Sequence, residues 1–240
     1  MHSGSALAQR RTAMKNPTLT RKADISCARC GFSGPVLQHA PRHLWADLFS
    51  EFLPKLLDGT FFHVACPRCG ARHDSPFAVT LVSLEHKCKI TLLPCADEKS
   101  RRAARAHMKS PGLREDPVRV RRIVTSAEQL AEKFRILEHG LCDKRFELLK
   151  IRAEELFVHC GELLEIRFVE WKSTPSLLLV TAGGMRVHRF GGLQLKWLSM
   201  RISLPEYFLI NRNWARQHRW RFVQDALLGA SRCPLGLIGL

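Results

Sequence analysis

The runs Cys27-Ala28-Arg29-Cys30-Gly31 and Cys66-Pro67-Arg68-Cys69-Gly70 decide how this chain can fold. A Cys-x-x-Cys turn folds its own amides around two sulfurs and offers them as one edge of a tetrahedron. Two such turns supply the four soft ligands that zinc prefers. One pair alone could be a redox couple. Two, each followed by glycine and flanked by strand-forming residues, point to one structural zinc ion held by Cys27, Cys30, Cys66 and Cys69. With every position taken by cysteine, such an ion has no place for water or substrate, so it stabilises and does not catalyse. His63 and His73 stand close enough in sequence to substitute as ligands, although the favoured reading makes them satisfied or exposed histidines. Cys88, Cys95, Cys142, Cys160 and Cys233 lack ligand spacing and read as small buried apolar side chains.

Working outward, Ile25 precedes the first knuckle and Phe61, Phe62 and Val64 precede the second, as short strands would. Between the knuckles, Leu44, Trp45, Leu48, Phe49, Phe52, Leu53, Leu56 and Leu57 recur at helical steps. They predict a helix, kinked or split at Pro54, that brings the ends of a long connector back to one site. Residues 77–84 and 89–93 predict a hairpin across Glu85-His86-Lys87. Residues 1–23 have no hydrophobic periodicity and read as a flexible basic tail, which leaves 24–95 as a zinc-ribbon-like module with an inserted helix. Residues 96–122 hold Arg101, Arg102 and Arg105 among prolines and a glycine, and read as an exposed basic connector.

The remainder, 123–240, opens with a helix signature: Thr125 or Ser126 as N-cap, Glu128 or Gln129 three residues on, Leu130, Phe134 and Leu137 along one face, and Gly140 as the stop. A second helix over 143–157, with Phe146, Leu149 and Leu156 inward, completes a helical hairpin. From Leu163 the period becomes two. Leu164, Ile166 and Phe168, then 177–181, 186–190 and 193–203, predict an antiparallel meander with turns at Gly183-Gly184 and Gly191-Gly192. A helix-like segment over 205–228, carrying Trp214 and Trp220, closes it. The fold class is therefore α+β: a zinc-ribbon-like β module, a helical hairpin and an antiparallel meander.

A formal charge of +16 attracts polyanions, either nucleic acid or an acidic protein. The candidate contacts are Arg101, Arg102 and Arg105 in the connector, with Arg212, Arg216 and Arg219 around Trp214 and Trp220, where cations interleave with aromatic rings. The plainer reading makes the two tryptophans core residues and their arginine neighbours solvated. No apolar run approaches the ~20 residues that cross a bilayer, and no apolar stretch follows the basic N-terminus as in a secretory signal. Nine cysteines, tightly paired only at the knuckles, fit a reducing cytoplasm better than a disulfide framework. The acid-free, Arg- and Ser-containing leader keeps an organelle transit peptide as the alternative. There is no phosphate-cradling glycine loop, no His-Glu-x-x-His, no Gly-x-Ser-x-Gly and no evident small-molecule site. The enzyme alternative is a metal-dependent nuclease using Glu170 and Lys172, since acid-x-Lys on a strand places carboxylate and ammonium on one face, with Glu154, Glu155, Glu162 and Glu165 upstream. The favoured expectation is a non-catalytic zinc protein that meets a macromolecule through basic surfaces.

Ile25-Ser26-Cys27-x-x-Cys30-Gly31, then Leu56-Leu57-Asp58-Gly59-Thr60, then Phe62-x-x-x-Cys66-Pro67-x-Cys69-Gly70 together resemble the bacterial CpXC domain family, named for its Cys-Pro-x-Cys motif. Arg122-Ile123-Val124-Thr125-Ser126, Leu130-x-Glu132-Lys133 and Glu147-Leu148-Leu149-Lys150 resemble that family's helical part, so the likeness covers about residues 24–150. It implies zinc knuckles and carries no established biochemical activity with it. Ala28 stands where the family commonly has proline, and Leu141-Cys142-Asp143-Lys144 replaces a more acidic stretch. Neither departure touches the four proposed ligands.

Overall fold

Polar residues alternate with small or apolar ones from Lys22 onward in β1 (Thr20–Ser26), which returns through the first knuckle as β2 (Ser33–His39). The two strands pair antiparallel. Ala23 opposite Val36 and Ile25 opposite Gly34 share the inward face, and Lys22 opposite Leu37 the outward one. Four residues expected in the tail, Thr20 to Ala23, are thus strand. The computed structural model describes residues 20–47, 51–94, 98, 102, 106, 118–157, 163–199, 210–211 and 213–217. The chain divides into two compact units, Met1–Ala131 and Glu132–Leu240.

In the first unit the connector between the knuckles differs from the helix that its periodicity predicts. His43–Trp45 form a strand, β3, and the helix α1 (Phe52–Leu57) is only six residues long. Leu48 and Phe49 lie outside the described residues. The reason is pairing: β3 runs parallel to β6 (Val79–Ser83) with buried Leu44 opposite Leu81, and the Ala46 N–H continues the ladder to Val82 O at 2.9 Å. Pro54 causes no kink, because it sits in the first turn of α1, where the helix has no partner for its missing N–H. A 3-10 turn (Thr60–Phe62) then leads into β4 (His63–Ala65), and the second knuckle joins β4 to β5 (Arg72–Asp74). The predicted hairpin is present as β6 and β7 (Cys88–Leu92). The connector's last residues are not exposed loop. Val120–Val124 form β8, which pairs parallel with β7, and Arg122 is buried there. The sheet order is β3-β6-β7-β8. Cys88 is fully buried within it, as its lack of ligand spacing suggests.

The helix signature is borne out by α2 (Ala127–Glu138). Ser126 Oγ accepts the Gln129 N–H at 3.3 Å, while Gln129 Oε1 accepts the Thr125 N–H at 3.1 Å. At the other end, Gly140 has φ +67, its N–H bonds Leu137 O, and the Leu141 N–H bonds Ile136 O, the paired closure of a Schellman motif. Leu141 and Ile136 both enter the core of the second unit.

That core lies between α3 (Asp143–Phe157), the three-stranded antiparallel sheet β9 (Leu163–Trp171), β10 (Thr174–Thr181) and β11 (Gly184–Arg189), and α4 (Gly192–Ser199). Phe146 meets the rings of Phe168 and Phe190 edge-on, at 5.4 and 6.3 Å. The side chain of Leu156, expected inward, lies outside the described set. Ile166 and Phe168 face inward as their alternation predicts, but Leu164 is 56% exposed. The register shifts there, with Val180 opposite Glu165 and Thr181 opposite Leu163, so Leu164 is the unpaired residue of a bulge. The expected fourth strand over 193–203 is instead helix α4 as far as Ser199. The Leu195 N–H bonds Gly191 O, and Leu195 and Leu198, three apart, both pack on the core. Of the segment over 205–228, residues 213–217 are helical. Trp214 there is buried with Leu148, Ile151 and Ile210, as the core reading expects, and Trp220 lies outside the described residues. The turn joining β9 to β10 has two residues, Lys172 and Ser173, at φ +49 and +61.

The first turns of α3 also bury charge. Lys133 Nζ lies 2.7 Å from Glu147 Oε1 and 3.7 Å from Asp143 Oδ2. Lys150 Nζ lies 2.6 Å from Glu132 Oε2 and 3.4 Å from Glu147 Oε1. The second oxygen of Glu132 accepts the Phe168 N–H at 2.7 Å, which ties β9 to the helices. Burial opposes both charges. Even so, the Glu147 and Asp143 carboxylates hold the Lys133 pKa above its usual value, and the Lys133 and Lys150 ammoniums hold Glu147 below its own. Replacing Lys133 with Met leaves buried Glu147 with only the more distant Lys150, so urea unfolding of Lys133→Met should show a loss of about 3 kcal/mol, much of it recovered by adding Glu147→Leu. The Glu147 contribution is present above its ordinary value of 4.5 and is lost as pH falls below it, so the wild-type midpoint should drop on acidification in a step that the double variant lacks.

Candidate metal centre

Each knuckle is a strand, a turn and a strand held by the same two backbone bonds. The Gly31 N–H reaches Cys27 O at 2.9 Å and the Cys27 N–H reaches Phe32 O at 2.7 Å. In the second, the Gly70 N–H reaches Cys66 O at 2.9 Å and the Cys66 N–H reaches Ala71 O at 2.8 Å. Gly31 and Gly70 have φ of +71 and +69, a conformation that side-chain-bearing residues resist by about 1 kcal/mol or more. The Cys-x-x-Cys-Gly pattern is therefore a backbone requirement as well as a ligand pattern.

The two turns face one another. Cys27 Sγ lies 3.6 Å from Cys69 Sγ and Cys30 Sγ lies 3.6 Å from Cys66 Sγ, and all four sulfurs fall within 4.8 Å of one another. An ion bonded at about 2.3 Å to sulfurs at the corners of a tetrahedron separates those corners by about 3.8 Å, so the donor set fits a single zinc ion. Cys27 and Cys66 are buried with Ile25 and Val64, and Cys30 and Cys69 are half-exposed beside Phe32 and Ala71. Among the described residues these four cysteines are the only group of three or more His, Cys, Asp or Glu side chains placed to hold a metal.

The environment makes the sulfurs unequal. The Phe32 N–H favours a thiolate at Cys30, but burial and the three neighbouring thiols outweigh it and push Cys30 up to about 12. Burial also opposes charge at Cys66, yet the Arg68 and Cys69 amides and the Cys30 and Cys69 thiols bring it down to about 7.

Away from the sulfurs, a clamp joins the two hairpins. Gln38 is buried and its Nε2 donates to Phe62 O and Ser75 O, both at 3.1 Å. Its Oε1 accepts Arg21 Nε at 2.8 Å, and the same guanidinium donates to Ser75 Oγ and lies 5.4 Å above the Phe77 ring. Arg21 and Gln38 sit opposite each other at the far ends of β1 and β2 from the first knuckle. Alternation gave no sign of this clamp beyond a glutamine on an apolar strand face. The Lys133–Glu147 network was likewise missed, although Asp143, Glu147 and Lys150 repeat at steps of four and three along one helix face.

The other candidates are scattered. His63 Nε2 lies 2.8 Å from Asp74 Oδ1 across β4 and β5, and His73 occupies the neighbouring register position, opposite Val64; neither joins the sulfurs. Lys172 lies in the turn after β9, not on the strand, so it does not share a strand face with Glu170 as expected. Glu170 is instead 4.0 Å from His139 Nε2, Glu165 pairs with Arg167, and Glu154 lies 3.5 Å from Arg216. Arg102 is exposed and 3.6 Å from Glu98, and Arg216 is exposed as well. Arg101, Arg105, Arg212 and Arg219 lie outside the described residues, as do Glu162, Cys95, Cys160 and Cys233 and the side chain of Glu155. No described helix is long and apolar enough to cross a membrane.

Residues 25–150, more than half of the chain, match the family model described as CpXC protein. The chain belongs to the CpXC family. The match begins at Ile25, two residues before the first sulfur, and ends at Lys150, the last member of the buried ion network, so the CpXC region includes both charged clusters named by the resemblance. No curated protein and no solved structure matches the chain.

Zinc binding displaces thiol protons. Cys66, brought down to about 7, is about half ionised at neutral pH while Cys30 keeps its proton, so fewer than four protons should leave per zinc bound. The number should grow as pH falls from about 8 to about 6 and Cys66 becomes protonated, which an indicator dye in weak buffer reads directly.

Proposed function

We propose that this CpXC protein is a non-catalytic zinc protein: Cys27, Cys30, Cys66 and Cys69 hold one structural zinc ion, and basic surfaces meet a polyanionic macromolecule, nucleic acid or an acidic protein, in the cytoplasm. The observation that carries the metal assignment is the closed set of four sulfurs within 4.8 Å of one another. Four thiolates leave no open coordination position, which favours a structural over a catalytic ion. Soft tetrahedral sulfur sets also accept iron, so the metal's identity is part of the test.

The partner side of the reading rests on charge. The chain has 38 Lys and Arg against 22 Asp and Glu, and Arg29, Arg68 and Arg72 lie exposed beside the sulfurs, while Arg102 and Arg216 are exposed elsewhere. Ion pairs as exposed as those of Arg102 and Arg216 contribute about 1 kcal/mol or less, so they leave the cations available to another anion.

Native mass spectrometry of the protein purified in reductant should show one zinc per chain, and Cys66→Ser should lower occupancy and the unfolding midpoint together. Metal-free wild type, or a Cys66→Ser protein as stable as wild type, would remove the assignment. A pull-down from lysate with and without nuclease treatment then separates the two polyanions: nucleic acid disappears with nuclease and an acidic protein stays, and both weaken with salt.

A further inference from the structure

The two knuckles are alike in sequence, each Cys-x-Arg-Cys-Gly, and alike in backbone bonding, but their arginines are used differently. Arg68, in the second knuckle, donates from Nη1 to Cys30 O in the first at 3.2 Å. Its own amide N–H donates toward the Cys66 sulfur. Cys30 and Cys66 are one of the two sulfur pairs in contact, 3.6 Å apart. One residue therefore bonds both cysteines of a single sulfur pair, the Cys66 sulfur through its own amide and the Cys30 main-chain carbonyl through its side chain. Arg29, at the same place in the first knuckle, is exposed and has no matching bond to the second among the described residues.

Charge makes the same residue useful. Four thiolates around a divalent ion leave two net negative charges at the centre. From Ile25 to Ala46 and from Gly59 to His73 there is no Asp or Glu, so no fixed carboxylate adds to that charge and the nearby arginines can offset it.

We propose that Arg68 is the positioning residue of the metal centre: its guanidinium holds the first knuckle against the second across the Cys30–Cys66 edge and offsets part of the charge that four thiolates bring to zinc. The inference rests on the zinc reading above. It goes further in making the paired knuckles functionally unequal, with a guanidinium geometry needed at 68 and not at 29.

The test is competition for zinc against a chromogenic chelator, using the full chain as wild type, Arg68→Ala, Arg68→Lys and Arg29→Ala. Loss of an outer contact to a ligand residue should raise the zinc Kd of Arg68→Ala about tenfold, with faster zinc release to chelator. Lysine keeps the charge but not the fork, so Arg68→Lys should recover only part of the loss, while Arg29→Ala should stay within about twofold of wild type. Amide exchange at Gly31 and Gly70 in saturating zinc checks that each variant folds. If Arg68→Ala does not fold, the Arg68→Lys comparison alone decides. Wild-type affinity in both Arg68 variants, full recovery by Lys, or an equal loss in Arg29→Ala would each overturn the assignment of Arg68. A wild-type chain that binds no zinc would overturn the metal reading itself, a separate result.

Discussion

Four sulfurs that begin 36 and 42 residues apart across the two knuckles must come within 4.8 Å of one another, and most of the first unit follows from that demand. Each pair of sulfurs needs a tight turn, each turn needs a glycine with positive φ, and each turn needs two short strands to hold it. Strands of three residues, such as β4 and β5, have little pairing of their own to stabilise them. What steadies them is the small cluster of Ile25, Val64 and the sulfurs at one end and the Gln38–Arg21–Ser75 clamp at the other. The clamp contains no ligand, so it can hold the hairpins in register whatever the state of the thiols.

How much of this was legible depends on how local each signal was. The four clustered cysteines, both glycines, the α2 caps and the bounds of α3 follow from residues a few positions apart, and all were readable. The connector was not. Leu44 and Trp45 fit a helical stripe with Phe52 to Leu57, but Leu44 is opposite Leu81 in a parallel pair, and a partner that far along the chain leaves no trace in a local period. Residues 193–199 misled for the opposite reason. Leu193, Leu195 and Trp197 alternate like a strand, yet Leu195 and Leu198, one helical turn apart, are the pair that packs on the core. A single bulged residue likewise turned Leu164 outward.

Overall charge also reads differently once burial is known. Arg122, Lys133, Lys144, Arg145 and Lys150 are all buried, against Asp143 and Glu147 among the acids, so some of the cations behind the formal +16 are not exposed to a partner. In the second unit that interior charge lies between α2 and α3 beside an apolar cluster that includes Ile136 and Phe146. Such networks seldom add stability over a hydrophobic equivalent, but they penalise any slip of one helix along the other, because a shifted helix leaves an ammonium or a carboxylate without its counterpart. Lys133 and Lys150 set the register of the helical hairpin, and Glu132 passes that register to β9 through the Phe168 amide.

The turn at Lys172 and Ser173 stands at the opposite extreme. Both residues occupy the left-handed region that asparagine and glycine fill readily and that lysine and serine resist. A loop of that composition does not hold its shape in isolation, so the bend is imposed by the strands: Phe168 and Leu177, opposite each other and both buried, fix where the chain reverses. This corner of the meander is therefore a consequence of its core, and unlike the turn at Gly183-Gly184 its loop sequence does not mark where the strands end.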